Sequence, residues 1–443
     1  MNQSIVPMNQ PMHRGTGFIS SLVKILNGHT KEPRKSPLHK VMGEKLPVIC
    51  IFGHDHLELV TPKGEEFEER RLDCRCYSCD SNFEEVLTQD RPHVIITLGN
   101  QSSFPNILKA PFEIRKRVLH YDTLPDLTQL GIDAYDCYLA NILDDREADD
   151  NPLVTVFTPA YRTGKKVLRP FQSLKEQTYT NWEWIIVDDS DDDGTTFERL
   201  NHLAKKDHRI KVFKPWEHSG IIGRVKNWAC SLGRGKVLVE LDHDDELTDY
   251  ALDYVVKGFR KFPEAGFLYS DCAEIYEDGA NFTYGKGWAF GYGSYTDVEY
   301  KGKTYKSGSG GNINAKTIRH IVSAPNHLRA WRRSFYESIG GHNPELHVAD
   351  DYEIMVRTFL KTRILRIPKL CYLQYISNTV QEVRNKDIHR HVRSIKDHYD
   401  RMIHDRVLEL GCEDFAWDEK KGSSDYSLPN PKKESHATLV ANF

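Results

Sequence analysis

An α/β fold is predicted for this 443-residue chain by two observations. Short apolar runs of strand length alternate with segments of helical period. The alternation occurs twice, on either side of an acidic, proline-ended stretch, DDREADDNP at 144–152. Residues 46–150 therefore read as a small α/β accessory domain, and 151–410 as a larger α/β domain. A basic segment, 1–45, precedes them, and a polar, Pro/Ser/Lys-rich tail, 411–443, expected to be mobile, follows. Hydrophobic residues are 39% and charged residues 28% of the chain, which supplies real cores and excludes wholesale disorder. A formal charge of −4 speaks against a dedicated nucleic-acid binder. No apolar run reaches the ~18 residues of a membrane-spanning helix. Nine scattered cysteines suit a reducing compartment better than a disulfide framework. The start, MNQSIVPMNQPMHRG, shows no charged region leading into an apolar core, so the expected location is cytoplasmic.

Residues 1–45 hold seven Lys and Arg against two acids, and enclose GFISSLVKILNG. That stretch, 17–28, reads either as a short amphipathic helix resting on an anionic membrane or as a tail with one helical turn docked on the protein. In the first unit LPVICIF (46–52) and PHVIITLG (92–99) are buried-strand patterns around the helical SNFEEVLTQ (81–89). Cys74, Cys76 and Cys79 sit close together, but only the last two have zinc-like spacing and no second pair exists. Ordinary thiols are the expectation.

The second unit reads strand LVTVFTPAY (153–161), helix KKVLRPFQSLKEQ (165–177), strand WEWIIVDDS (182–190), helix TTFERLNHLAKK (195–206) and strand RIKVFKP (209–215). Helix GIIGRVKNWACSLGRG (220–235), strand KVLVELDHDDE (236–246), helix LTDYALDYVVKGFRKF (247–262) and strand AGFLYSD (265–271) complete the rhythm. From Gly279 to Gly311 it breaks: nine glycines and eight aromatics make a long loop, which either orders over a ligand or packs as a plain connection. Aromatic faces stack well on sugar rings and apolar ligand patches. Order returns with helices WRRSFYESIGG (331–341) and ADDYEIMVRTFLKT (349–362), then short strands RILRIP (363–368) and CYLQYI (371–376).

Three acid groups stand out: Asp188-Asp189, Asp242-His243-Asp244-Asp245 and Asp350-Asp351. Two of them close apolar strands, where ligands of open α/β sheets bind. In extended backbone Asp242 and Asp244 point the same way, and both can face one hard cation. Mg²⁺ or Mn²⁺ prefers oxygen ligands and keeps positions for substrate phosphates. A cation there would stabilise charge on a departing phosphate, Lys226 could add a second positive charge, and a separate carboxylate could take a proton from an attacking hydroxyl.

Three blocks carry a resemblance: TPAYRTGKKVLRPFQSLKEQTYTNWEWIIVDDSDDDGT (158–195), GIIGRVKNWACSLGRGKVLVELDHDDEL (220–247) and RAWRRSFYESIGGHNPELHVADDYEIMVR (329–357). In order and spacing they resemble family 2 nucleotide-sugar glycosyltransferases. The resemblance implies a GT-A-type, Rossmann-like mixed sheet in the larger domain and a single in-line displacement that inverts the anomeric carbon. It implies that Pro159, Ala160 and Tyr161 meet base and ribose, that Asp189 contacts the base, and that Lys226 lies near base or diphosphate. It makes Asp242, Asp244 and Asp245 the metal and diphosphate site, with Mn²⁺ or Mg²⁺ as cofactor, and Asp351 the catalytic base. The partners implied are a nucleotide-sugar donor, a UDP-sugar favoured, and a carbohydrate or glycan acceptor. Arg162, Lys226 and Asp350 depart from the commonest family residues. His327 is either an ordinary buried histidine or a metal or acid–base group. Arg332 and Arg333 could face the diphosphate. A nucleotidyltransferase or nucleotide-sugar hydrolase could use the same D-x-D logic, and a non-catalytic carbohydrate-binding protein with a relic site is a third reading.

Overall fold

The computed structural model describes residues 47–60, 71–104, 107–142, 151–309, 313–376, 382–424 and 438–443. The basic segment 1–45, with its stretch 17–28, lies outside them, as does most of the acidic linker. The chain divides into two compact units, 1–143 and 144–443.

In the first unit, strand β1 (Val48–Phe52), strand β2 (Asp73–Tyr77), helix α1 (Phe83–Asp90), strand β3 (Val94–Leu98), the single turn α2 (Phe112–Arg115), strand β4 (Val118–Tyr121) and helix α3 (Leu127–Ile142) follow one another. The strands pair in parallel in the order β2-β1-β3-β4. Every residue of β3 is buried, which is why it reads as a continuous apolar run rather than an alternation. The Asn82 side chain caps α1 by accepting from the Glu85 amide, and Glu84 and Glu85 occupy the first turn. Cys74 and Cys76 pack against the core of Ile49, Ile51, Val94 and Leu98. Burial pushes the Cys74 thiol up to about 12.

The second unit begins with β5 (Val154–Ala160), α4 (Leu168–Lys175), β6 (Trp182–Asp188), α5 (Thr195–Ala204), β7 (Ile210–Phe213), α6 (Ile222–Leu232) and β8 (Val237–Glu240). Then come β9 (Glu246–Leu247), α7 (Ala251–Lys261), β10 (Ala265–Tyr276), the hairpin β11 (Tyr295–Tyr300) and β12 (Lys303–Gly308), and α8 (Thr317–His320). The remainder is β13 (Arg329–Arg332), α9 (Arg333–Ser338), α10 (Asp350–Lys361), β14 (Arg363–Ile376), α11 (Glu382–Glu409), the small ribbon β15 (Trp417–Asp418) and β16 (Ser423–Ser424), and β17 (Thr438–Val440). One mixed sheet runs β11-β12-β10-β13-β8-β5-β6-β7, and β14 pairs with β10, β9 and β17. Strands β5, β6, β7 and β8 are mutually parallel, while β13 runs antiparallel between β8 and β10. This is a Rossmann-like mixed sheet with a parallel core. Helix α7 buries Leu252, Val255, Val256 and Phe259, the stripe its spacing predicts.

The differences from the sequence reading lie in the second half. Arg329–Arg332, read partly as helix, is a strand, because Trp331 is fully buried with ring centroids 5.0 Å from Phe267 and 6.3 Å from Phe157. Tertiary pairing overrides the helical period there. The two short strands at 363–376 are one, β14, which pairs with β10 along its length through register shifts near Ser270 and Asp271. Part of the expected long loop is the β11–β12 hairpin. The tail is docked where it is described: Asp414 accepts from Arg319 at 2.8 and 3.0 Å, Trp417 stacks on His404, and β17 pairs with β14.

Gly258 lets α7 lie flat on the sheet, since a Cβ there would stand 2.6 Å from Leu268 Cδ1 and 3.2 Å from Ile367 Cδ1. Gly258→Val should cost about 1–3 kcal/mol by overpacking, read as a lower urea midpoint for this unit.

Candidate active site

Strands β8, β5 and β6 are neighbours and parallel, so their carboxyl ends meet along one edge. At the end of β5, Pro159 and Ala160 close the strand and Tyr161 projects outward, 44% exposed. Its ring lies 5.5 Å from that of His218. Asp188, at the end of β6, is buried and turned inward: Ser190 donates to it twice and Lys214 Nζ lies 3.5 Å away. Asp189 is held in a different way. The amides of Ser219 and Gly220 donate to its carboxylate at 2.7 and 2.9 Å. The loop before α6 is thereby tied to β6, beside Tyr161 and His218. Asp188, Lys214, Trp216 and His218 line an adjoining cavity of about 510 Å³.

The D-x-D segment is a turn rather than the expected extended strand, with the Asp245 amide reaching back 3.4 Å to the Asp242 carbonyl. Asp242 and Asp244 keep partly exposed side chains. Asp244 Oδ2 is 3.8 Å from Lys166 Nζ, and burial pushes its carboxyl upward. His243 reaches to 3.4 Å from the Pro159 carbonyl. Asp245, expected among the metal ligands, faces inward instead: it accepts from Tyr372 Oη at 2.9 Å and from the Tyr375 amide at 2.7 Å. Burial, then the charges of Asp242 and Asp244, push it well above the carboxylate range. The turn is thus pinned to β14 by one of its three acids, leaving the other two to solvent. His327 Nε2 lies 3.5 Å from Asp242 Oδ2, its ring stacks on Tyr372 at 4.6 Å, and its Nδ1 is buried without a hydrogen-bond partner among the described residues. Among the described residues, no group of three or more His, Cys, Asp or Glu side chains is gathered as a metal cage.

Behind this edge lies a buried network of charges. Lys226, on α6, does not face the open edge as expected. Its Nζ is 2.7 Å from Glu240 Oε1 and 3.0 Å from Asp350 Oδ2, and it is 4% exposed. Burial opposes its charge, but Asp350 and Glu240 outweigh that and hold it protonated. Glu240 closes β8; burial pushes it up, yet Lys226 and Arg329 hold it well below the usual range. Arg329, on β13, sits 3.5 Å from Glu240 and 3.3 Å from Asp351. Asp350 is buried, which pushes its carboxyl up to about 6 against the pull of Lys226. Asp351, in the first turn of α10, is the outward-facing acid of the pair, its side chain 30% exposed. Arg332 and Arg333 are spent inside the fold: Arg332 donates to the carbonyls of Ala265 and Phe259, and Arg333 to that of Gly233 and to Glu337.

Residues 155–334 match the family model described as Glycosyl transferase family 2. This segment is similar to glycosyl transferase family 2. The transferase segment is also similar to named proteins. An uncharacterized protein, y4gI, of Sinorhizobium fredii is 33% identical over 52% of this chain and 23% of its own length. The putative colanic acid biosynthesis glycosyl transferase WcaA of Escherichia coli is 27% identical over 47% of this chain and 66% of its own. This chain therefore spans less than two thirds of the length of these relatives. Among solved structures, Staphylococcus aureus TarS 1–349 in complex with UDP-GlcNAc aligns at 16% identity and a TM-score of 0.42, over 58% of this chain and 72% of that one.

Glu240 and Arg329 were not singled out by the sequence reading, although an acid closing an apolar strand, VLVE, was a visible signal. Lys226→Met should destabilise this unit by about 3–5 kcal/mol, because it leaves Glu240 and Asp350 buried beside each other without their shared cation. Lys226→Met with Glu240→Gln should recover part of that loss, read from urea midpoints of the single and double variants.

Proposed function

We propose that residues 144–443 transfer a sugar from a nucleotide-diphosphate donor to an acceptor hydroxyl with inversion at the anomeric carbon. The match of residues 155–334 to the family model supports the class of reaction. The observation that carries the site assignment is the Asp351–Arg329–Glu240 connection. Arg329 joins the outward acid of α10 to the residue two positions before Asp242, so one buried guanidinium sets the spacing between candidate base and candidate cation site.

Tyr161 and Asp189 are the proposed contacts for base and ribose: an exposed ring, and a carboxylate fixed by backbone amides beside it. Pro159 and Ala160 shape the floor under them. The donor set of Asp242 and Asp244 fits a hard divalent cation, being two part-exposed carboxylates on one turn. His327 lies beside Asp242, its Nε2 3.5 Å from Asp242 Oδ2, as a neighbour of that position. Mn²⁺ or Mg²⁺ held there supplies positive charge toward the diphosphate leaving group. Asp351 accepts the proton of the acceptor hydroxyl as the new glycosidic bond forms and the bond to the diphosphate breaks. Arg329 keeps that carboxylate aimed. Lys226 is proposed as an internal tie rather than a phosphate contact. A UDP-sugar is the first donor to try.

Release of nucleotide from UDP-sugars in the presence of Mn²⁺, with and without sugar acceptors, tests the reading. Release that never depends on an acceptor would favour the hydrolase alternative. Asp351→Asn should lower turnover by about 10²–10⁴-fold with donor affinity nearly unchanged, and the helix should survive because its N-cap is Ala349, not Asp351. Turnover within a few fold of wild type would move the base to another residue. Chelation with EDTA and Asp244→Asn should each abolish donor binding and turnover, with Mn²⁺ restoring only the chelated wild type, measured by donor titration and nucleotide release.

A further inference from the structure

One face of α4 holds the backbone of the D-x-D turn and of the residues after it. Arg169 and Ser173 lie on α4 and Gln177 just past its end, four residues apart, the spacing that brings helical side chains onto one face. Arg169 Nη1 donates to the Asp244 carbonyl at 3.1 Å, and Ser173 Oγ accepts from the Leu247 amide at 3.3 Å. Gln177 donates to the Thr248 carbonyl at 2.7 Å and accepts from the Leu252 amide at 3.1 Å. Ser173 and Gln177 are buried. Arg169 is the member of the three that reaches the turn itself, and its side chain is 23% exposed.

Arg169 is held on two further sides. Its guanidinium lies over the Tyr375 ring, 3.8 Å from the centroid. Its Nη2 pairs with Glu277, the residue that follows β10, so the end of β10 forms a wall beside the turn. Tyr375 is also the residue whose amide donates to Asp245 and whose hydroxyl donates to Glu246, at 2.7 and 2.8 Å. One tyrosine thus carries the guanidinium on its face and anchors the buried acid of the turn through its backbone. Glu277 takes Lys166 as well, at 2.8 Å. Arg169 and then Lys166 hold the Glu277 carboxyl down to about 2, so it stays an anion and balances the charge that Arg169 brings beside the candidate cation site.

Peptide groups are planar, so a donor fixed on the Asp244 carbonyl fixes the plane that Asp244 shares with Asp245. The carbonyl is held by α4 and the Asp245 carboxylate by β14, and the backbone of the turn cannot roll over without breaking one of these holds. A rigid fork serves two acceptors in different directions at once, which an ammonium on a flexible stem does not. We propose that Arg169 is the positioning residue of the D-x-D turn: it fixes the Asp244 peptide so that the Asp244 side chain stays at the candidate cation site, and Glu277 offsets its charge there. The inference rests on the reading of Asp242 and Asp244 as that site.

The test uses the full chain with Mn²⁺ and UDP, bound Mn²⁺ being read as loss of the free-ion EPR signal. Arg169→Lys and Arg169→Ala should each weaken Mn²⁺ binding by about ten-fold or more, the usual effect of removing a group that orients a metal ligand. Glu277→Gln should weaken it in the same direction. Gln172→Ala, on the exposed side of α4, is the control and should stay within about two-fold of wild type. Amide hydrogen exchange without metal separates positioning from general damage: in Arg169→Lys it should quicken over residues 242–247 and stay as in wild type in β5 and β6. Wild-type Mn²⁺ affinity in both Arg169 variants overturns the proposal. So does exchange that quickens equally through β5 and β6, which marks a loss of structure. If the wild type binds no Mn²⁺ with or without UDP, the cation-site reading fails on its own. The hold on the turn is then judged by exchange alone: quickening confined to 242–247 upholds it, and unchanged exchange there overturns it.

Discussion

The second unit depends on five charges shared inside it. Lys226, Glu240, Arg329, Asp350 and Asp351 come from α6, β8, β13 and the start of α10, and four of them are almost fully buried. Buried ions are expensive unless each finds a partner. Each side chain therefore fixes the position of the element carrying the next. Replacing the set by apolar residues of similar volume would often be no less stable, so stability alone does not account for it. What the network provides is distance: α10 cannot shift against β8 without separating charges in a medium that screens them poorly.

The D-x-D turn shows the same division of labour on a smaller scale. Three consecutive-looking acids are not equivalent. Asp245 is held down by Tyr372 and Tyr375 of β14, and its neighbours are left open by that anchorage. The Asp242 amide is itself near Tyr372 Oη, at 3.1 Å, and the ring of His327 lies on the same tyrosine. One strand thus positions the turn, the histidine beside it and, through its pairing with β10, the wall that follows.

The sheet was legible because its central strands are continuous apolar runs with acids at their ends, and α7 because its stripe keeps the helical period. The acids Asp242, Asp244 and Asp351 were legible as motifs. What failed was direction. A spacing of two suggested extended backbone, whereas the segment turns, and sequence does not record that Asp245 meets two tyrosines more than a hundred residues away. Lys226 carried a charge that suggested an outward role, and only the fold shows two carboxylates waiting for it. Trp331 and Arg332 looked helical because the residues after them are, and the strand state of Arg329–Arg332 comes from pairing with β8 and β10, which no local pattern contains. The Gly- and aromatic-rich stretch was legible as unusual, but its hairpin was hidden by polar strands that bury little.

Among the described residues the main path of this sheet ends at β7 and β11, and an end strand with unpaired backbone groups is a template for a foreign strand. Border β7 is four residues long and carries Lys211 in its middle. Border β11 places Asp297 and Glu299 along its exposed positions, with Lys306 paired to Asp297 across the hairpin. A second chain approaching either border would have to strip water from these charges while finding few amides to bond. Resistance to edge-to-edge aggregation is thus written into the strands that end the main path, and explains why polar residues occupy strands that an open sheet could otherwise have made apolar.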